Sequence, residues 1–527
     1  PIVEDINNMP NDTPLGGFGW YFGQIGVNPY NDDDIYLLGV DLPRTTDGGT
    51  SWFETTPPWW EYSVHADKHA IAFVDENTVL LATDGGLYKS SDNGYNWEDA
   101  ENIPNTQFYR VANNPHEPEL FAGGAQDNGT TMGNASAMNN WPRLYGGDGF
   151  QPTFHPTNSG IMYAETQYGG LVVLEDGNTL GATDGIDPDD RIGWDAPYII
   201  SSQNPNRMYF GTYRMYKSVA GPYPFWEPVS EDLTDGLVYA ARHHNITCID
   251  ESPVNGSFLY VGTSDGNVWR SLNEGMTWEP IHENLPDKYI TSIKASPHFE
   301  NRVYVTLSGY KGNGFQPHVF RSDDNGDTWQ SIDNNLPSVG INDIVVYNEA
   351  FQDSLLFLAS DLGVYCSVDA GTNWNRLGQG MPYLYVFDME YEPVNQRLIA
   401  GTFARSIMTY PVDSIVQYIT AISDTTTNDT TTVQVQDMLQ NKNHLALKVY
   451  PNPAQEFIFI ELEENNYVLQ SNELTVYIED IAGNRLKTGY LSAQSATRLV
   501  VSDLPKGTYF VKALDKQYKF VQQFVKM

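Results

Sequence analysis

One eight-residue pattern, Ser/Thr-x-Asp-x-Gly-x-x-Trp, occurs five times in this chain and limits its fold more than any other feature. The copies run Thr45–Trp52, Ser90–Trp97, Ser271–Trp278, Ser322–Trp329 and Ser367–Trp374. The acidic position falls at Asp47, Asp92, Asn273, Asp324 and Asp369, giving spacings of 45, 181, 51 and 45, the second about four times 45. A repeat of that size, built from short alternating strands, is the signature of a β-propeller with four strands per blade. The residue types have physical reasons. An Asp accepts backbone N–H groups in a tight turn, the Gly takes a positive φ, and the hydroxyl closes the turn locally. The tryptophans Trp52, Trp97, Trp278, Trp329 and Trp374 are large enough to pack between neighbouring blades. These residues are read as structural.

Nine units can be laid out, beginning near Ile25, Ala70, Phe108, Phe150, Tyr198, Ile246, Ile290, Ile341 and Phe387. Three units between the second and third copies keep the rhythm without the motif, with Trp141 and Trp226 near the tryptophan place. The last unit ends at Val412 with no fourth strand, and residues 1–14 have little strand character to supply one. The expectation is a propeller over 1–412 from which earlier blades are missing.

The repeated pattern resembles the Asp-box, or BNR repeat, of sialidases, sortilin-type receptors and xyloglucanase-type endoglucanases. The stretches Gly19–Gly23, Val64–Ala70, Gly124–Gly129, Gly146–Phe150 and Gln167–Gly170 extend the resemblance to large bacterial sortilin-like repeat proteins. Residues 413–444 turn to Thr, Asp, Asn and Gln and read as a solvated linker. Residues 445–527 alternate apolar and polar residues between turn signals, the pattern of a small Ig-like β-sandwich. Tyr450-Pro451-Asn452-Pro453, Asp480 to Gly483, Leu504 to Tyr509 and the Lys526-containing end resemble the type IX secretion system C-terminal sorting domain of Bacteroidota. That resemblance implies contact with the secretion machinery, export across the outer membrane, and a secreted or surface-attached protein. The fold class is therefore all-β, a multi-bladed Asp-box propeller followed by a sandwich.

Topology indicates where chemistry could lie. The motif turns join strands three and four of a blade, so the turns between strands two and three and the crossovers share the opposite face, where propeller sites usually lie. That face collects His65, Asp67, His69, Asp84, Gln126, Asp127, Asp148, Glu165, Gln167, Tyr168, Arg214, His243, His244 and Arg405. A glycoside hydrolase would need two carboxyl groups across a cleft. Thr83–Tyr88 is similar to the segment that carries a catalytic Asp in xyloglucanase-type enzymes, which makes Asp84 the first candidate, with Asp127 and Asp148 as partners. A sialidase would need three convergent arginines, and only Arg214 and Arg405 are well placed. His65-x-Asp67-x-His69 has the alternation for a metal site, and a structural Ca²⁺ is the one cofactor the acidic turns suggest.

A net charge of −38, from 67 acidic and 29 basic residues, opposes nucleic acid and anionic membranes. Cys248 and Cys366 fall in different units and imply no disulfide. No apolar run is long enough to span a membrane, and the start at Pro1 carries no signal-peptide pattern, so export is read from the other end of the chain. Taken together, the residues point to an exported protein that binds extracellular polysaccharide or a surface protein, with Trp59, Trp60, Tyr168 and Tyr213 available to stack on sugar rings. The alternative is a polysaccharide-degrading hydrolase using an acid pair that includes Asp84.

Overall fold

A computed structural model describes residues 18–58, 61, 63–237, 244–308, 318–378 and 380–425. In the C-terminal part it describes 447–450, 454–462, 473–479, 485–492, 497–514 and 519–526. The chain divides into two compact units, 1–429 and 430–527.

In the first unit the described residues form nine antiparallel sheets with neighbouring strands in chain order. Eight are four-stranded, spanning 24–54, 68–99, 108–145, 153–181, 198–228, 246–280, 290–331 and 341–376; the ninth, 386–411, has three strands. They are called blades 1 to 9. The five motif turns share one geometry. In the first, Thr45 Oγ1 donates to Asp47 Oδ1 (2.8 Å), Ser51 N donates to the same oxygen (2.8 Å), and Gly49 N donates to Thr45 Oγ1 (2.9 Å). Asn273 keeps the arrangement, accepting from Ser271 Oγ (2.9 Å) and Thr277 N (2.9 Å).

The tryptophans then join blades. Four of the five motif indoles donate to the residue that follows the outer strand of the preceding blade: Trp97 to Thr55 O (3.0 Å), Trp278 to Val229 O (3.0 Å), Trp329 to Ile281 O (2.6 Å) and Trp374 to Ile332 O (2.7 Å). Trp226, outside the motif, does the same with Ala182 O (2.7 Å). Trp141 instead donates to Asn134 O of its own blade (3.3 Å).

That exception marks the architecture. The first strand of blade 9, Val386–Glu392, packs against the first strand of blade 3, Phe108–Asn113. Blades 3 to 9 therefore close into a seven-bladed ring, while blades 1 and 2 lie outside it and pack on each other. The expectation of a single propeller over 1–412 is corrected here, because closure occurs inside the chain. Carboxylates make the seam: Val111 N donates to Asp388 Oδ2 (2.8 Å) and Asn113 N to Glu390 Oε2 (2.8 Å). The same device joins blades 6 and 7 (Ala295 N to Asp250 Oδ2, 2.7 Å) and blades 8 and 9 (Met389 N to Asp343 Oδ2, 3.2 Å). Arg397 adds an ion pair to Glu119 (3.3 Å) across the seam.

Residues 413–425, expected to be linker, form a helix, Asp413–Thr425. Ser414 N donates to Asp413 Oδ1 (2.8 Å), which caps its start, and Ile415, Ile419 and Ile422 recur at helical spacing. In the second unit, a three-stranded and a four-stranded sheet share one core of Ile458, Ile460, Val476, Ile478, Leu491, Val501 and Val511. This is the expected sandwich. Residues 451–453 and 480–483, which carry two of its quoted motifs, lie outside the described residues.

Two predictions follow from the seam. Asp388→Ala leaves the Val111 amide without its acceptor and should cost about 1–3 kcal/mol in urea unfolding of the full chain; an unchanged midpoint would exclude this bond as a closing contact. Burial raises Asp250 to about 6, Asp388 to about 6 and Glu390 to about 7. These groups take up protons on folding, so stability should rise as pH falls from 8 to about 5. Hydrogen bonds from Ser51 and Asn96 hold Asp47 and Asp92 at about 2, so their contribution is lost below about pH 4. Thermal unfolding against pH should therefore peak in mild acid; a peak at pH 8 or above would contradict this reading.

Candidate functional site

Blade 2 meets the ring at the turn between the second and third strands of blade 3. Asn128 Nδ2 donates to Asp84 O (3.1 Å), and the His65 Nε2 position lies 3.1 Å from Asp127 O. Close backbone approach makes this possible. A Cβ on Gly124 would lie 1.8 Å from Phe150 O, and one on Gly85 2.4 Å from the His65 ring. With glycine at both places, Gly149 N reaches Ala125 O (2.9 Å) and the crossover carrying Asp148 slides beneath Asp127.

The junction brings Asp67, Asp84 and Asp127 together, with one carboxylate oxygen of each inside a 4.8 Å group. Asp67 and Asp127 both have φ of 60°, in the left-handed region that Asp tolerates better than most residues. Asp84 Oδ1 lies 2.6 Å from His69 Nε2, so its side chain faces the junction rather than its own turn. Asp148, buried at 6% exposure, accepts from Asp127 N and, at 2.8 Å, from Gln167 Nε2. Burial, then the charges of Asp148 and Asp84, push Asp127 up to about 6; burial and Asp84 also raise Asp67. Three carboxylates this close repel one another, and the repulsion is relieved by holding a proton. The three oxygens are also spaced so that one Ca²⁺ with bonds of about 2.3–2.6 Å could bridge them.

Aromatic rings flank the acids on two sides. On the blade 2 side, Tyr21 and Phe22 pack against the His69 ring (5.2 and 5.5 Å), and Trp20 and Tyr21 are 81% and 54% exposed. On the ring side, Tyr168 packs edge-on against Trp194 (5.1 Å, 82°), which also meets Phe150 (5.8 Å). Gln126 accepts from Tyr109 OH (2.9 Å), whose ring stacks on Phe150 (5.1 Å, 16°).

Of the sequence candidates, His65, Asp67, His69, Asp84, Gln126, Asp127, Asp148, Gln167 and Tyr168 thus meet at one place. Others do not join them. Glu165 is fully buried and accepts from Ala196 N (2.8 Å), which braces a crossover. Arg214 is held on blade 5 by Asp190 (2.9 Å), and Tyr213 lies between the guanidinium groups of Arg191 and Arg214 (4.2 and 5.4 Å). His244, buried, pairs with Asp265 (2.8 Å), and Arg405 lines a crevice that His65 and Asn128 also border. Trp59, Trp60 and His243 lie outside the described residues. The ledge formed by Trp20 and Tyr21 was not among the expected site residues; its signal was the aromatic run Phe18–Phe22.

The acid cluster generates a direct check. By carbonyl ¹³C NMR, Asp127 should titrate near 6 and move down in both Asp84→Asn and Asp148→Asn, while burial keeps it above the ordinary range. A titration unmoved by both changes would separate Asp127 from its neighbours.

Among known proteins, residues 448–527 match the family described as secretion system C-terminal sorting domain. Two curated relatives match part of the chain. A vacuolar protein sorting/targeting protein 10 of Colletotrichum graminicola is 25% identical over 134 residues, 23% of this chain and 8% of that one. A xyloglucanase of Hypocrea jecorina is 23% identical over 277 residues, 46% of this chain and 28% of that one. The chain thus spans well under half the length of either relative. Among solved structures, YCF48 from Cyanidioschyzon merolae is similar at 15% identity and TM-score 0.43, over 58% of this chain and 96% of that one. A GH74 enzyme of Niastella koreensis is similar at 13% identity and TM-score 0.29, over 73% and 81%. No helix among the described residues is long and apolar enough to cross a membrane. The chain is therefore a β-propeller protein that carries a type IX sorting domain, the mark of export to the cell surface or the medium.

Proposed function

We propose that the junction between blade 2 and the ring binds an extracellular glycan for a Bacteroidota cell, and that the five motif turns are Asp-boxes serving only the fold. The observation that carries this reading is the order of groups along the junction. Exposed Trp20 and Tyr21 lead through His69 to Asp84, Asp67 and Asp127, and then through Asp148 and Gln167 to Tyr168 and Trp194. Aromatic faces that can stack on sugar rings, separated by carboxylates that accept hydroxyl protons, suit a chain of sugars laid across the seam.

Hydrolysis at the same place is the second reading, favoured by Asp127 held near 6 beside Asp84. An inverting pair needs carboxyl groups about 6.5–9.5 Å apart to admit water, and a retaining pair about 5–5.5 Å. Nearest oxygens of Asp67, Asp84 and Asp127 within 4.8 Å of one another leave no gap for the water of an inverting pair, and binding is therefore preferred.

Affinity electrophoresis of the full chain on plant and algal polysaccharides tests both readings. Retention on at least one polysaccharide is expected, with Trp20→Ala and Tyr168→Ala each weakening it about tenfold, or 1.4 kcal/mol. Release of reducing ends that disappears in both Asp84→Asn and Asp127→Asn would make the site hydrolytic. Retention on none of the polysaccharides would sink the glycan reading.

A further inference from the structure

Among the described residues blade 9 has three strands, and its outermost strand, Ile407–Pro411, pairs on one side only, with Arg397–Thr402. The other blades show what belongs on the open side. In blade 8 the outer strand Asn375–Arg376 pairs with Cys366 and Tyr365. The two blades correspond in hydrogen bonding and register at the turn before that strand, where Ser360 Oγ donates to Gly363 O (2.7 Å) in blade 8 and Thr402 Oγ1 to Ser406 O (2.7 Å) in blade 9. Met408 and Thr409 then take the places of Tyr365 and Cys366. Cys366 is fully buried, whereas Thr409 is exposed.

Beside this edge lies a crevice of about 780 Å³, within the usual range for a ligand site. Ile407, Thr409 and Arg405 of blade 9 line it together with Trp141, Met138 and Ile103. Met138 and Ile103 are 73% and 43% exposed. The indole rule of the fold also points here. Trp278, Trp329 and Trp374 each donate to the residue that follows the preceding blade's outer strand. For blade 9 the residue in that place is Leu377, directly after Asn375–Arg376.

We infer that the open edge of blade 9 receives an extended peptide that supplies its fourth strand, with a tryptophan immediately before a two-residue strand paired to Met408 and Thr409. A polypeptide is the occupant that fits. Only an extended backbone offers alternating donors and acceptors at the spacing of a strand edge, and side chains on alternate residues would point into the crevice. Ile407–Pro411, Trp141, Met138 and Ile103 are none of the residues ordered along the glycan site, although His65 also borders the crevice.

The probe is a fluorescein-labelled peptide with the sequence of residues 369–378, Asp-Ala-Gly-Thr-Asn-Trp-Asn-Arg-Leu-Gly, which is a fourth strand of this fold with its tryptophan. Added to the full chain, it should give a saturable rise in anisotropy and slow hydrogen exchange at Thr409, whose N–H faces the open side, while Met408, paired to Ala400, is unchanged. Replacing its tryptophan by alanine should weaken binding about tenfold. Thr409→Pro, which removes an edge donor, should weaken it at least as much while glycan retention persists. If that variant does not fold, Thr409→Trp, which fills the crevice, serves in its place. No anisotropy change at millimolar peptide, exchange at Thr409 already slow without peptide, or protection there by oligosaccharides instead would each overturn the inference.

Discussion

The structure depends on carboxylates that reach across the gap between inner strands of neighbouring blades. Inner strands splay around the central channel, and their backbone groups cannot form a ladder from one blade to the next. Asp388 and Glu390 close the ring by accepting from Val111 and Asn113, more than 270 residues away in sequence, and Asp250 and Asp343 repeat the bond elsewhere. Burial alone would make these anions costly. Lys294 and Arg110 lie among them and reduce that cost through charge, with Arg110 bonded to Asp195 at 2.7 Å. Among the described residues the ring thereby closes with blade 9 at three strands, its outer edge unpaired.

Closure at blade 3 also creates the candidate site. Because the ring ends at Phe108–Asn113, blade 2 cannot continue it and meets it through turns instead. Asp84 on one side and Asp127 on the other then share a junction that neither a single blade nor a single ring could make. Glycines at 85, 124 and 149 let the backbones approach closely enough for the acids to gather. The raised acidity range of Asp127 is a consequence of that crowding.

Much of this was legible in the chain. The motif turns, the blade rhythm and the sorting sandwich come from local patterns that each short segment carries whole. The acids Asp67, Asp84, Asp127 and Asp148 were legible as residues of one face, because strand alternation and turn order assign faces without a tertiary structure. Glu165 and His244 carried the same signal and turned inward, since the same turn can present a carboxylate to solvent or to a neighbour's amide. The helix at 413–425 was hidden by its Asp- and Thr-rich surroundings, although its isoleucines recur at helical spacing.

By itself, then, the sequence determined the unit: four short strands, a turn held by Asp and hydroxyl, and an indole that needs a neighbour. Such units interact through nearest contacts, so local patterning suffices to specify them. Only the tertiary structure decided which unit meets which. The seam between residues 386–392 and 108–113 rests on single hydrogen bonds between distant positions, and no local period encodes such a pairing. The site, the free edge of blade 9 and the separation of blades 1 and 2 from the ring all follow from that one long-range choice.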